Sequence, residues 1–117
     1  MADVGCYILF STKLNRFYTG AVQDSLESRL QKHNNHTYGN TRFTAKASDW
    51  ELKLFIACDH YKQALRIERY IKSMKSSAYI RDLLVNPDRV TLLKEKFLWG
   101  LEHLTPPITI GARGRSR

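Results

Sequence analysis

The sequence has 117 residues, of which 43% are hydrophobic and 11% are aromatic. This length and composition predict one folded domain with a single core, and they exclude a disordered chain. The sequence has no apolar run long enough to cross a membrane and no secretory signal pattern at its start, so we expect a cytoplasmic protein.

The chain is basic, with 19 lysines and arginines against 11 aspartates and glutamates and a formal net charge of +8. Three of these charges, on Arg113, Arg115 and Arg117, lie in a tail that begins at Thr105, where proline and glycine discourage regular structure. The residues before Arg113 still carry +5, which is +8 less three. This balance favours a polyanionic partner, either nucleic acid or an acidic membrane surface, although charge also serves solubility.

Two strands and a hairpin loop are predicted at the start of the chain. Residues 6–12 and 17–22 are rich in β-branched and aromatic side chains, and the polar residues 13–16 separate them. Because side chains alternate between the faces of a sheet, a loop of four residues places Tyr7 and Tyr18 on the same face.

The loop also fixes the expected register of this hairpin. With residues 13–16 in the loop, Thr12 pairs with Phe17 and Tyr7 lies opposite Val22. Both phenols can then reach one site.

A first helix is predicted from the spacing of Asp24 and Glu27. An acidic N-cap followed three residues later by a glutamate is typical of a helix start, and the pattern extends to about Asn34. Arg29 and His33 are four residues apart, so they lie on one face of this helix and border its apolar stripe. Two stacked cations repel each other weakly unless an anion such as phosphate bridges them.

The middle of the chain is predicted as a loop, a strand and a second helix. Residues 35–49 are polar and lack periodicity, which indicates a long loop able to contact a ligand. A strand follows at 50–58 and a helix at 61–74. The inward-facing positions of that helix are Ala64, Ile67, Ile71 and Met74. Glu68 flanks its buried side, where a carboxylate needs an ion-pair partner or a metal such as Mg²⁺.

Two more helices are predicted before the tail. They span residues 77–84 and about 87–103, and Asn86 is the expected N-cap of the second. Cys6 and Cys58 fall in predicted strands without a CxxC spacing, so we expect small buried hydrophobes rather than metal ligands.

Four short segments carry a resemblance to a known family. They are Gly5-Cys6-Tyr7, then Tyr18-Thr19-Gly20 with ten residues between the tyrosines, then Arg29 and His33 in DSLESRLQKHN, and Glu68 in QALRIERYIKSMKS. In this order the chain resembles the GIY-YIG nuclease family, in particular its small stand-alone bacterial members. More distantly, it resembles the N-terminal nuclease domain of the excinuclease catalytic subunit. The resemblance covers about residues 4–84.

The resemblance implies an α+β fold, with a small three-stranded antiparallel sheet flanked by helices. A single nuclease domain would span residues 1–104, with its core at about 4–84 and its last helix at about 87–103, and the basic tail would span 105–117. The resemblance also implies an endonuclease that hydrolyses phosphodiester bonds in DNA with one bound Mg²⁺ or Mn²⁺ ion, in a process such as DNA repair.

The resemblance assigns roles to five candidate catalytic residues. Tyr18 is the general base, and Tyr7 supports it. Arg29 stabilises the charge on the attacked phosphate, His33 contacts the adjoining phosphate, and Glu68 is the metal ligand. Because a phenol has an ordinary pKa of about 10, Arg29 and the metal would have to lower the pKa of the base.

The expected partner is nucleic acid, in particular DNA, bound mainly through its phosphates. The candidates for these sequence-independent contacts are Lys32, Arg42, Lys46, Lys72 and Lys75. The loop at 35–49 would add to this surface. Because 117 residues leave no room for an appended DNA-reading domain, we expect little sequence specificity and, in its place, recognition of DNA structure.

Each candidate residue also has an interpretation without catalysis. The tyrosines are then half-buried strand aromatics, and Arg29 and His33 form an exposed helix face. Glu68 then pairs with a cation of its own helix, most commonly Lys72 four residues later. In that case the protein is a non-catalytic nucleic-acid-binding or adaptor module with the nuclease fold, or a structural domain whose basic tail binds a membrane or a partner.

Overall fold

A computed structural model describes residues 2–35 and 46–98 of the chain. In chain order, the elements are β1 (Gly5–Ser11), β2 (Arg16–Val22), α1 (Leu26–Asn34), β3 (Trp50–Ala57), α2 (Tyr61–Met74), α3 (Ser77–Val85) and α4 (Pro87–Lys96). The strands form one antiparallel sheet, so the predicted α+β fold is confirmed. None of the helices described here is long and apolar enough to span a bilayer.

β1 is the central strand of the sheet, whose order is β2-β1-β3. Every residue of β1 is buried except Phe10, which is half-buried, because helices cover both faces of this strand. Cys6 and Ile8 face the core formed with α2, α3 and α4, whereas Tyr7 and Leu9 face α1. The strand is therefore apolar on both faces rather than alternating.

α2 contributes the largest helical part of the core. Ala64, Ile67 and Ile71 recur at helical spacing and are buried, as predicted. Burial of each large aliphatic side chain contributes about 1.5–3 kcal/mol to folding. The prediction that Met74 faces inward is wrong, since this residue is 40% exposed. Met74 is the last residue of α2, and the left-handed conformation of Lys75 ends the helix there.

The hairpin register is shifted by two residues from the prediction. Tyr7 pairs with Gly20 rather than with Val22. The loop between the strands is residues 12–15, which begins one residue earlier than predicted but again has four residues. Because the parity is unchanged, Tyr7 and Tyr18 share a face, as predicted, and belong to the same hydrophobic cluster.

Hydrogen bonds at the loop explain the shift. The Ser11 hydroxyl donates to Asp49 Oδ1 at 2.6 Å and accepts from the backbone N–H of Leu14 at 3.1 Å. The backbone N–H of Lys13 donates to Asp49 Oδ2 at 2.9 Å. The Ser11 bond, followed by the Lys13 bond, holds the pKa of Asp49 below its ordinary value. Asn15 takes the left-handed conformation (φ 54°), which asparagine tolerates.

α1 begins one residue later than predicted and ends at Asn34, as predicted. Its N-cap is Ser25, not Asp24, and Ser25 Oγ accepts from the N–H of Ser28 at 3.1 Å. Asp24 accepts from the N–H of Ser25 at 2.7 Å, and this bond, helped by Arg29, lowers the pKa of Asp24. Serine and aspartate are equally good N-caps, so the residue types alone do not distinguish the two positions.

α3 and α4 complete the described part of the chain. Asn86 lies at the N-cap of α4, as predicted, but forms no side-chain capping bond. α4 ends at Lys96, where Phe97 leaves the helical conformation and packs on Tyr70 with ring centroids 5.4 Å apart. The helix is therefore shorter than the predicted 87–103. Residues 99–117, with the predicted tail, lie outside the described residues.

Both cysteines have free thiols. Cys6 is fully buried in β1, whereas Cys58 is half-buried and lies one residue beyond β3 rather than within a strand. Burial raises the pKa of Cys58 to about 11 and also raises the pKa of Cys6. Neither thiol is therefore set up as a nucleophile at neutral pH.

Candidate active site

A cleft of about 170 Å³ brings together all five side chains that the sequence singles out for catalysis. Its lining residues are Tyr7, Tyr18, Gly20, Ala21, Arg29, His33, Tyr61 and Glu68. β1 and β2 supply the two tyrosines, α1 supplies the arginine and the histidine, and α2 supplies the glutamate. Residues from four separate elements thus meet in one small concave site.

The cleft lies at the β2 edge of the sheet, where side chains from both faces can meet. Tyr18 faces α1, whereas Ala21 pairs with Cys6 and faces α2. Gly20 and Ala21 are small, so they leave space around this edge strand. Glu68 projects into that space from α2, although α2 packs on the face opposite to α1.

The glycines of the two sequence triplets make room for neighbouring rings. A Cβ atom on Gly20 would lie 2.5 Å from both Cζ and the hydroxyl oxygen of Tyr7. A Cβ atom on Gly5 would lie 2.8 Å from the ring of Phe55 and would also meet the backbone carbonyl of Ile56. These separations are well below van der Waals contact. Gly20 is therefore part of the site, because a residue with a Cβ atom at this position would displace the Tyr7 phenol.

Tyr7 and His33 form a buried polar pair at the bottom of the cleft. The Tyr7 hydroxyl and His33 Nε2 are 2.9 Å apart, and the two residues are only 2% and 3% exposed. The Tyr18 ring packs beside this pair, with its centroid 4.9 Å from the His33 ring and 6.5 Å from the Tyr7 ring. Tyr18 is itself half-buried, so solvent reaches it more readily than it reaches Tyr7.

The end of α1 is attached to the sheet by two hydrogen bonds. The Asn34 side chain accepts from the backbone N–H of Trp50 at 2.7 Å and donates to the Trp50 carbonyl at 3.0 Å. Because Asn34 follows His33 directly, these bonds fix the position of the imidazole relative to β3. The Trp50 ring also contacts Tyr18, with centroids 6.4 Å apart.

Arg29 lies one helical turn before His33 and lines the cleft. Its side chain is 27% exposed, and its Nε lies 3.5 Å from Oδ1 of Asp24, whose side chain is 62% exposed. Ion pairs this open to solvent contribute little, about 0–1 kcal/mol at most. The guanidinium can therefore exchange this carboxylate for a phosphate at low cost.

Glu68 forms the ion pair with Lys72 that the non-catalytic interpretation predicts. Lys72 Nζ lies 3.0 Å from Glu68 Oε2, and the two side chains are 50% and 19% exposed. The same ammonium lies 5.4 Å from the centroid of the Tyr18 ring. Lys72 therefore lies close to both the Glu68 carboxylate and the Tyr18 ring.

The donor atoms at Glu68 fit one kind of metal site. Among residues 2–35 and 46–98, no three histidine, cysteine, aspartate or glutamate side chains cluster as a metal cage. Mg²⁺ commonly binds through one or two carboxylates and completes its coordination with water and substrate phosphate. A single accessible carboxylate in an open cleft suits such an ion, and it does not suit a closed structural zinc site.

The predicted phosphate contacts fall in different places. Lys72 and Lys75 line a larger groove beside the cleft, of about 680 Å³. Lys32 is half-buried on α1, and Lys46 is exposed just before β3. Arg42 lies outside the described residues, as does most of the predicted loop at 35–49.

Two side chains in these surfaces were missed by the sequence interpretation. Tyr61 lines the cleft, and it lies seven residues before Glu68, which is two helical turns and hence the same face of α2. Helical periodicity could therefore have identified it. Arg16 lines the groove, but the predicted register placed it in the hairpin loop rather than in β2.

Comparison with known proteins agrees with this geometry. A family model described as the GIY-YIG catalytic domain matches residues 3–80, which is two thirds of the 117 residues. Neither the comparison with curated proteins nor the comparison with solved structures gave a match. The matched range contains both glycine–tyrosine triplets, α1 with Arg29 and His33, and Glu68 on α2. The chain therefore belongs to the GIY-YIG family, whose catalytic domain is that of nuclease-type hydrolases.

Proposed function

We propose that this protein is a divalent-metal-dependent endonuclease that hydrolyses phosphodiester bonds in DNA. The observation that carries the proposal is the meeting of three tyrosine phenols, an arginine guanidinium and a glutamate carboxylate in one cleft of about 170 Å³. Phosphoryl transfer needs a group to activate water and positive charge to stabilise the attacked phosphate. The cleft offers a chemical group for each of these tasks.

Tyr18 is the residue that takes the proton from the attacking water. A general base must lie within hydrogen-bond reach of that water. Tyr18 is half-buried and lines the cleft, whereas Tyr7 is 2% exposed and bonded to His33. Tyr18 therefore has the access to water and substrate that Tyr7 lacks.

Tyr7 and His33 position Tyr18. The family resemblance implies a direct phosphate contact for His33, but this residue is 3% exposed and its Nε2 is bonded to the Tyr7 hydroxyl. A buried, hydrogen-bonded ring is better suited to hold a neighbour than to bind an incoming anion. The contact of 4.9 Å between the His33 and Tyr18 ring centroids supports this positioning role.

Arg29 binds and stabilises the attacked phosphate. A guanidinium can donate two parallel hydrogen bonds to phosphate oxygens, which fixes the orientation of the group as well as its charge. Arg29 lines the cleft, and its ion-pair partner Asp24 is an exposed carboxylate. Exchanging this carboxylate for a substrate phosphate costs little.

Glu68 holds the divalent cation. When bound there, Mg²⁺ or Mn²⁺ supplies Lewis-acid polarisation of the phosphate oxygens. A cation at Glu68 shares the carboxylate with the Lys72 ammonium, which lies 3.0 Å from Oε2, or displaces it. In either case the ammonium lies beside the Tyr18 ring, and Lys72 lines the groove, where it can contact a neighbouring phosphate.

The Glu68–Lys72 ion pair also supports a second candidate function. If Glu68 serves only as the ion-pair partner of Lys72 and holds no metal, the protein binds nucleic acid without cutting it. This non-catalytic module would retain the fold and the net charge of +8.

A plasmid nicking assay separates the two functions. Supercoiled DNA is incubated with Mg²⁺, with Mn²⁺ or with a chelator, and the conversion to nicked circles is followed. We expect nicking by the wild type with either metal, no nicking with the chelator, and a rate at least about 100-fold lower for Glu68→Gln. Glu51→Gln is the matched control, since Glu51 pairs with Lys53 at 3.4 Å on β3, outside the cleft. Equal background in all samples would support the non-catalytic module.

A further inference from the structure

The larger groove continues from the cleft along the edge of the sheet. Its walls are the start of β2, the end of α2 and the start of α3, and we call it the β2–α3 groove. The lining residues include Arg16, Tyr18, Lys72, Lys75, Ser76 and Ser77. Tyr18 lines both the groove and the cleft. A chain-like ligand that occupies the cleft can therefore continue past Tyr18 into the groove.

The charges of the β2–α3 groove are all of one sign. Arg16, Lys72 and Lys75 are its charged residues, and no carboxylate is among the lining residues that the structure describes. Lys72 is bound to Glu68 at the cleft end. Arg16 and Lys75 are exposed, and neither forms an ion pair within the described parts of the chain. Two uncompensated cations thus face the groove beyond the cleft.

Lys75 is held in a backbone conformation that lysine rarely adopts. It is the C-cap of α2, with φ 48° and ψ 43° in the left-handed region. Glycine is the usual residue at a left-handed helix end, because any side chain there is strained. A lysine at this position therefore lowers stability relative to glycine, although it lines the groove and carries a positive charge. Such a conflict between local preference and observed residue is typical of functional positions.

We infer that the β2–α3 groove binds the DNA backbone next to the phosphate that is cut, with Arg16 and Lys75 contacting successive phosphates beyond Tyr18. The inference rests on the proposed function, because it takes the cleft as the site of cleavage. Asn15, Ser76 and Ser77 add polar groups that can donate hydrogen bonds to phosphate oxygens. None of these contacts reads a base, so the groove adds affinity without sequence preference.

The test is the salt dependence of DNA binding in the presence of a chelator, where no cleavage occurs. A labelled duplex is titrated by fluorescence anisotropy between about 50 and about 200 mM salt. Each lost phosphate contact should flatten the slope of log K against log salt by about 0.9. The variants are Lys75→Gly, Lys75→Arg and Arg16→Gln. Lys53→Gln is the control, since it removes one positive charge from β3, at the opposite edge of the sheet.

We expect Lys75→Gly and Arg16→Gln each to flatten the slope by about 0.9 and to reduce the affinity several-fold at the lower salt. Lys75→Arg and Lys53→Gln should keep the wild-type slope. Lys75→Gly should also raise the unfolding midpoint by roughly 2–5 °C, so its weaker binding cannot be due to unfolding.

Two outcomes would contradict the proposal that the β2–α3 groove binds the DNA backbone. One is a wild type without salt-dependent binding, and the other is slopes for Lys75→Gly and Arg16→Gln that match Lys53→Gln. Nicking by the wild type in Mg²⁺, measured on the same preparation, separates the two proposals. If the wild type nicks DNA but Lys75→Gly and Arg16→Gln keep the wild-type salt slope, the groove proposal is wrong and the endonuclease proposal stands. If the slopes of these two variants flatten but the wild type does not nick DNA, the groove is a DNA-binding surface and the endonuclease proposal is wrong.

Discussion

The hydroxyl of Tyr7 and Nε2 of His33 lie 2.9 Å apart in the interior, and the two residues are only 2% and 3% exposed. The two residues are 26 positions apart in sequence and come from β1 and α1, so this bond joins the sheet to the first helix. A buried polar atom that loses its partner costs about 1–3 kcal/mol, because water cannot replace the bond. The pair therefore contributes to the fold as well as to the cleft.

Tyr7→Phe removes the hydroxyl and leaves His33 Nε2 without this bond. We expect the free energy of unfolding to fall by about 1–3 kcal/mol, measured by urea denaturation. Tyr70→Phe is the control, because Tyr70 packs on Phe97 outside the cleft. An equal, small effect of both substitutions would show that the buried bond contributes nothing.

Gly20→Ala should damage the fold through Tyr7. The new Cβ would lie 2.5 Å from the Tyr7 hydroxyl oxygen and Cζ, so the ring must move. Overpacking of this kind costs about 1–3 kcal/mol. In a Tyr7→Leu background the clash is absent, so the same substitution should cost much less. Equal costs in the two backgrounds would contradict the proposed contact.

Lys72→Met should strengthen the binding of Mn²⁺ to the protein without DNA. The substitution removes the ammonium that lies 3.0 Å from Glu68 Oε2. A partly exposed pair contributes about 0–1 kcal/mol, so the gain in affinity should be at most about fivefold. Calorimetry gives the affinity, and Glu68→Gln should abolish the binding.

Lys53→Met is the control for the metal experiment, because it breaks the Lys53–Glu51 pair at 3.4 Å on β3 and should leave Mn²⁺ binding unchanged. If Glu68→Gln keeps the wild-type affinity for Mn²⁺, Glu68 is not the metal ligand.

The acid stability of the fold should depend on Asp49. Its hydrogen bonds to Ser11 and Lys13 lower its folded-state pKa. The carboxylate therefore stabilises the fold above its ordinary unfolded pKa of about 3.9, and this contribution is lost as the pH falls from there through the lower folded pKa. Asp49→Asn should be less stable than the wild type at neutral pH and should lose less stability below about pH 4.

Urea midpoints measured across this pH range test the prediction for Asp49, with Asp59→Asn, an exposed aspartate before α2, as the control. Parallel curves for the wild type and Asp49→Asn would contradict it.

The hairpin shows which part of the fold could be predicted from sequence. The shared face of Tyr7 and Tyr18 depends only on the parity of the loop, so it was predicted correctly despite a wrong register. The register itself depends on the bond from Ser11 to Asp49, 38 residues away, and on the left-handed Asn15. A long-range bond of this kind leaves no periodic signal in the sequence.

The site, like the hairpin, could be predicted only in part from the sequence. Helical spacing alone places Arg29 and His33 on one face of α1, and the family pattern adds Glu68. Spacing could not show that His33 is buried against Tyr7, because this contact depends on how α1 packs on the sheet. Nor could spacing show that the small residue Gly20 in the edge strand β2 leaves space for Glu68 of α2 to line the same cleft as the tyrosines.

The most direct test of the account is the rate at which Tyr18→Phe nicks supercoiled plasmid in the presence of Mg²⁺. This substitution keeps the ring that packs on His33 and removes only the hydroxyl that would take the proton. Tyr70→Phe serves again as the control. We predict a rate at least about 100-fold below the wild type for Tyr18→Phe and a wild-type rate for Tyr70→Phe. Nicking at the wild-type rate by Tyr18→Phe would contradict the central claim that this phenol activates the attacking water.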